Sequence, residues 1–182
     1  MLCDLPKWGD EMGILDDIMH DCVAARIPRT VRLSVLRYAE TIPQGGQRVL
    51  YMRAASGRSK QAAVKAMCQH CVGYEDVRHQ VSNCPHTACA LWTHRPYQAR
   101  STAYRAAETE AVRGTLPDTS MVPYRSVRAA QRARQSRSAA IRVHCLTCMG
   151  GDYRLVRECA SRTCPLWLYR PGAKAAEGNG AA

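Results

Sequence analysis

Residues 145–171 read CLTCMGGDYRLVRECASRTCPLWLYRP, and residues 68–96 read CQHCVGYEDVRHQVSNCPHTACALWTHRP. The two stretches are copies of one pattern. The first places cysteines at Cys68, Cys71, Cys84 and Cys89, the second at Cys145, Cys148, Cys159 and Cys164. In both, a pair two residues apart is followed by a spacer and then a pair four residues apart; the spacer is twelve residues in the first and ten in the second. The match extends beyond sulfur. Ala62-Ala63 corresponds to Ala139-Ala140, Gly73 to Gly150, Val81 to Val156, Leu91-Trp92 to Leu166-Trp167, and Arg95-Pro96 to Arg170-Pro171.

Two short-spaced cysteine pairs per copy supply four thiolates, the number that fills a tetrahedral Zn²⁺ shell. A Cys-x-x-Cys turn sets two sulfurs on one side, and the wider pair closes the shell. Gly73 and Gly150 follow the turn where a positive φ lets backbone N–H groups approach sulfur. With all four positions taken by protein there is no place for water or substrate, so the ions expected are two structural Zn²⁺. Three other chemistries fit parts of the pattern. An iron–sulfur cluster also takes four cysteines, paired thiols can be oxidised to disulfides, and a lone Cys-x-x-Cys can cycle redox equivalents. A hydrolytic zinc site would need a histidine ligand, yet His79, His86 and His94 of the first copy have no histidine counterparts in the second. His70 and His144, beside the first pairs, are placed to hydrogen-bond sulfur or contact phosphate.

Composition agrees with metal-held modules. The 182-residue chain has no Phe, three Trp and 12 Gly, which does not describe one large aromatic core. Copies of about 35 residues bury too little apolar surface to fold on burial alone. The expected fold is mainly α with irregular loops: tandem four-cysteine, zinc-finger-like modules, each stabilised by zinc, plus an N-terminal helical segment. The boundaries fall at 1–46 for that segment, 47–98 and 125–172 for the modules with their basic lead-ins, 99–124 for a connector, and 173–182 for a disordered tail.

The N-terminal segment is acidic through Asp4, Asp10, Glu11, Asp16, Asp17 and Asp21, and an amphipathic helix is expected over 10–25. Thr30 is the expected N-cap of a second helix carrying Val31, Val35, Leu36 and Ala39, broken by Pro43 and Gly45-Gly46. Cys3, His20 and Cys22 lack a fourth ligand for a third metal site. Between Thr41 and Tyr74 there is no acidic residue, while Arg48, Arg53, Arg58, Lys60 and Lys65 accumulate. Ser59 caps the helix expected to deliver Cys68. The second lead-in is richer: Arg125, Arg128, Arg132, Arg134, Arg137 and Arg142 run acid-free into Cys145. A helix over 125–143 would align Arg125, Arg128 and Arg132 as a cationic ridge, whose plainer reading is a solvated face. The connector is expected to hold a helix near 102–113 between Ser101 and Gly114. Trp92 and Trp167 either pack over the cysteine loops or stack on an unpaired base, and Arg95 and Arg170 contact either phosphate or their own chain's carbonyls.

The elements Ala140-Ile141-Arg142, Cys-x-x-Cys-x-Gly-Gly, Val156 and Cys-Pro-Leu-Trp-x-Tyr-Arg-Pro-Gly from Cys164 resemble a small four-cysteine module of mostly uncharacterised bacteriophage and mobile-element proteins. The resemblance covers about 35 residues in the second copy. It is looser in the first, where Ala90 replaces Pro165 and Tyr74 replaces the second glycine. It implies zinc at the eight cysteines and a phage or mobile-element setting, with no activity to carry over.

The formal charge of +11 falls to about +7 with two Zn²⁺ on eight thiolates and so stays basic. A basic chain points to a polyanion, with nucleic acid ahead of a membrane surface. The expected contacts are Arg53, Arg58, Lys60, Lys65, Arg125, Arg128, Arg132, Arg134, Arg137 and Arg142. The expected function is a non-enzymatic nucleic-acid-binding zinc protein, such as a phage regulator of DNA or RNA use. The alternative is an effector that binds a host complex, a polymerase, nuclease or defence machine, through the acidic helix. No carboxylate pair, nucleophile–base set or phosphate loop supports an enzyme. No apolar run approaches membrane-spanning length, and without an apolar leader core the expected compartment is the cytoplasm, that of a bacterial host.

Overall fold

The computed structural model describes residues 27–98 and 126–173. The helices expected at 10–25 and 102–113, the tail, and Cys3, His20, Cys22 and Arg125 lie outside the described residues. Within them the chain is mainly helical with loops, and no strand occurs among the described residues.

Helix α1 spans Arg29–Thr41 and buries Val31, Val35 and Ala39, one stripe at helical spacing. Its N-cap is Pro28 rather than Thr30: the Pro28 carbonyl accepts from Val31 and Arg32, and no side chain caps the end. Helix α2, Gly46–Ala55, starts where the glycine pair was expected only to break structure. Gly45, at φ 95, turns the chain so that Gly46 can open the new helix. Arg48 in this helix is buried and donates to the Ile42 carbonyl at 2.7 and 3.1 Å, tying α2 to the end of α1.

Helix α3, Lys60–Cys71, is capped as expected, with Ser59 Oγ accepting from the Ala62 amide at 3.1 Å. Cys68 and Cys71 sit three apart on its last turn and therefore on one face. Gly73 then takes φ 70, its amide donates to the His70 carbonyl, and the Tyr74 amide donates to Gln69. These bonds form the helix-ending motif that a left-handed residue permits, and they turn the chain back toward the second cysteine pair. Short helix α4, Val77–Ser82, and a 3₁₀ turn at Trp92–His94 complete the first copy.

The second copy repeats this order. Helix α5, Ser126–Gln135, precedes α6, Arg137–Cys148; α7, Tyr153–Arg157, and a 3₁₀ turn at Trp167–Tyr169 follow. Helices α3 and α6 are each twelve residues and end on the second cysteine. The continuous helix expected over 125–143 is broken at Ser136, whose extended backbone (φ −132, ψ 122) folds α5 onto α6. In the same way α2 packs on α3 across the turn at Ser56–Ser59.

The copies share a core. Helices α3 and α6 meet through Ala62, Ala63, Val64 and Ala66 on one side and Ala140, Ile141 and Val143 on the other, with Leu91 and Leu166 in the same cluster. Small residues there let the two backbones approach closely. The contacts at the rim are reciprocal. His94 Nε2 of the first copy lies 2.6 Å from the Ala133 carbonyl in α5, while Tyr169 of the second accepts from the Ser59 amide at 2.8 Å. His94 and Tyr169 occupy equivalent positions of the repeat, so each copy's 3₁₀ turn holds the other's helical lead-in. Tyr51, buried in the α1–α2 core, adds a bond from its hydroxyl to the Thr163 carbonyl at 2.9 Å.

Candidate metal centres and a basic cleft

The eight repeat cysteines are unpaired with one another and occupy matching places. In the first copy Cys68, Cys71, Cys84 and Cys89 all line one cavity of about 150 Å³, closed by Val81, Leu91 and Trp92. His86 lines it as well, and so does His144, which reaches across from α6 of the second copy. Burial, then repulsion from Cys89, Cys84 and Cys71, pushes the Cys68 thiol up to about 12. Burial, then Cys164, Cys148 and Cys159, pushes Cys145 up to about 12 as well. Each quartet is thus a set of electrostatic neighbours in which burial and mutual repulsion favour the neutral thiols, so that gathering four thiolates there calls for a cation. Among the described residues, however, no group of three or more His, Cys, Asp or Glu side chains stands in the arrangement of a bound metal ion. The sulfurs are gathered without forming a closed shell.

The surroundings of the sulfurs are duplicated too. Burial raises the Cys89 and Cys164 thiols, partly opposed by amides that donate to sulfur, from Leu91 and Trp92 in one copy and Leu166 and Trp167 in the other. Gly73 and Gly150 adopt the expected positive φ, yet their own amides close the helix ends. The indole of Trp92 donates to the Cys84 carbonyl at 3.0 Å, and that of Trp167 to the Cys159 carbonyl at 2.9 Å. Each tryptophan therefore packs over its loop rather than presenting a free face. Arg95 lies over Trp92 at 3.7 Å and donates to the carbonyls of Trp92 and Ser82. Arg170 repeats this with Trp167, at 4.1 Å, and with Arg157. These guanidiniums brace their own loops.

Of the other histidines, His70 Nδ1 lies 2.7 Å from the Tyr38 hydroxyl and His79 3.6 Å from Asp76, in an exposed pair. His94 is held below the ordinary imidazole range chiefly by burial, against the raising effect of its bond to Ala133. Burial likewise lowers His144.

The basic residues divide into groups. Arg53 and Arg58 are exposed beside the turn between α2 and α3. Arg128, Arg132 and Arg134 fall on α5, where Arg132 is exposed and Arg134 half-buried. Arg142 is exposed on α6 and lies 5.7 Å over the Tyr153 ring. Lys60 donates to Ser138 Oγ at 2.8 Å, which sets the N-termini of α3 and α6 side by side. Next to them Lys65 of the first copy and Arg137 of the second line one cleft of about 780 Å³. Arg78, His94 and Tyr97 line it as well, and no acidic residue does so among the described residues. Cations at two helix starts, with no acidic residue in the first turn of either helix, make this end strongly positive. Sequence spacing did not single out Arg78 or Tyr97, because they lie far from Lys65 in sequence and join it only in the folded first copy, where Arg137 of the second completes the lining.

No protein-family model matches the chain, and no curated protein or solved structure matches it either. Among the described residues no helix is long and apolar enough to cross a membrane.

Proposed function

We propose that each cysteine quartet binds one structural Zn²⁺ and that the paired copies form a non-enzymatic nucleic-acid-binding protein, in keeping with the phage-module resemblance. The donor set fits zinc: four soft thiolates per copy, donating amides at Cys89 and Cys164, and a tryptophan-covered cavity with room for an ion. Bound zinc would hold the thiolates deprotonated and supply part of the folding free energy. The chain's residues do the rest: Arg95 and Arg170 brace the loops, and the α3–α6 core fixes the spacing of the copies.

The observation that carries the nucleic-acid reading is the cleft in which Lys65 and Arg137, from different copies, converge with Arg78 and without an acidic neighbour among the described residues. Such a surface attracts phosphate largely without regard to sequence, and its affinity falls steeply with salt. Lys60, bonded to Ser138 at the start of α6, extends the charge next to Arg137. The protein-binding alternative rests on the acidic helix at 10–25, outside the described residues.

The test is a salt titration of purified, metal-loaded protein against random duplex and single-stranded oligonucleotides. Submicromolar binding at low salt that weakens steadily with added salt is expected, and Arg132→Glu with Arg137→Glu should abolish it while two zinc ions remain bound. Binding no better than millimolar at low salt, or binding indifferent to those charge reversals, would overturn the proposal.

A further inference from the structure

Two tyrosines of the first copy stand where the second has glycine. Tyr74 corresponds to Gly151 and Tyr97 to Gly172. Both keep the left-handed backbone of their glycine partners: Tyr74 has φ 67 against 85, and Tyr97 has φ 66 against 73. A residue with a Cβ adopts that conformation at a cost, and its persistence calls for something that offsets it. For Tyr74 the offset is visible, since its ring packs against the α1–α2 core beside His70. Tyr97 has no such packing. It is among the exposed large apolar residues, 44 % accessible, and it belongs to neither core cluster.

What surrounds Tyr97 is the basic cleft. Its hydroxyl accepts from the Nε2 of buried Gln69 at 3.4 Å, which steadies the far end of the ring. Pro96 precedes it and fixes the local backbone. Lys65, Arg78 and Arg137 line the same cleft. An accessible aromatic ring on a stiff turn, flanked by cations spaced along a groove, is the chemistry that holds an unpaired base and its neighbouring phosphates. A duplex, with its bases already stacked, offers phosphates but no free face.

Resting on the nucleic-acid reading above, we propose that this cleft is a single-strand subsite in which Tyr97 stacks on one unpaired base while Lys65, Arg78 and Arg137 hold the adjoining phosphates. The second copy, with Gly172 at the equivalent position, contributes Arg137 to the cleft and no stacking ring of its own.

The experiment compares wild type, Tyr97→Gly and Tyr97→Trp by fluorescence anisotropy on four labelled probes: an oligothymidylate, the same length built of abasic residues, a random duplex and polyglutamate. Glycine is what the repeat itself places there, so Tyr97→Gly should fold; unchanged zinc content and circular dichroism check this, and Tyr97→Asn, which also tolerates positive φ, serves as the second non-aromatic variant. Tyr97→Gly should bind oligothymidylate roughly tenfold more weakly, Tyr97→Trp at least as well as wild type, and neither should change binding to the abasic or duplex probes. Wild-type binding to oligothymidylate with no loss in Tyr97→Gly would overturn the stacking subsite and leave the nucleic-acid reading standing. Equal wild-type affinity for polyglutamate and oligothymidylate would overturn it as well, reducing the cleft to a general polyanion site. Absence of binding to every oligonucleotide would overturn both.

Discussion

The two copies share a backbone and differ in what they do with its surface. Helix lengths, the reversal after the second cysteine, the tryptophan bond to the third cysteine's carbonyl and the bracing arginine recur almost unchanged. Beyond the shorter second spacer and its differently capped short helix, the divergence that bears on the surface lies in a few side chains. Lys65 faces the cleft, while its counterpart Arg142 is drawn over Tyr153. Tyr97 stands exposed where Gly172 lies so close to Arg157 that a Cβ would sit 2.6 Å from its Cγ. A duplication that conserves the sulfur framework and varies the rim separates two roles: the framework sets geometry and, on the proposed function, the rim of the first copy would meet the nucleic acid.

The largest effect should come from the framework. On the proposed zinc reading, Cys68→Ser with Cys71→Ser, and separately Cys145→Ser with Cys148→Ser, would each remove one ion, whose binding is worth about 10 kcal/mol or more. Because the copies share one core, either pair should unfold the whole described region, seen as complete loss of the cooperative transition in circular dichroism. Survival of one copy with one bound zinc would break the picture of a joint core. Next, Trp92→Ala should cost about 3–5 kcal/mol in denaturant titration, and Trp167→Ala less, since Trp92 is buried and Trp167 only half so; equal losses would erase that difference between the copies. Ala63→Leu, at the α3–α6 contact, should cost about 1–3 kcal/mol by overpacking. A neutral result there would mean that the helices do not meet as described.

Smaller effects sharpen the rim. Gly172→Ala should destabilise by about 1–2 kcal/mol, from left-handed strain and displacement of Arg157, whereas Tyr97→Gly should be neutral or slightly stabilising. The smallest concerns the reciprocal contacts. His94 is neutral in the fold because burial holds its pKa below the ordinary value near 6.5. Its contribution is therefore present above that value and lost as pH falls through the depressed folded pKa. The melting temperature of wild type should fall between pH 7 and pH 5 by slightly more than that of His94→Gln; identical profiles would remove His94 from the contact.

Much of this was legible from residues. The residues predicted the Ser59 cap and a helix leading to Cys68, because each is local and set by a few neighbouring side chains. The Cys-x-x-Cys pairs, expected in a tight turn, lie instead on the last turn of α3 and α6, and the tryptophans take the packed one of the two places left open. Helix α2 was not legible: Pro43 and the Gly45-Gly46 pair announce a break, and its start depends on the turn at Gly45 and on the buried Arg48 reaching Ile42. The break at Ser136 was missed because no Gly or Pro marks it, although Ser136 is the repeat counterpart of Ser59 and stands, like it, at the N-cap of the cysteine-bearing helix. The cleft escaped for a different reason. Lys65, Arg78 and Tyr97 are brought together by the fold of the first copy and Arg137 joins them only through docking of the second, and no spacing rule encodes either step.

The shared alanine face has a consequence for synthesis on the ribosome. Helix α6 begins 77 positions after its counterpart α3, so the first copy leaves the exit tunnel with its small-residue face bare. Until translation supplies Ile141 and Val143, that face remains open to any other apolar surface, including that of a neighbouring nascent chain. Copies paired between two polypeptides would satisfy the same contacts as copies paired within one. Slow elongation or premature termination in the stretch between them should therefore favour exchanged dimers, a species that size-exclusion chromatography separates from the monomer.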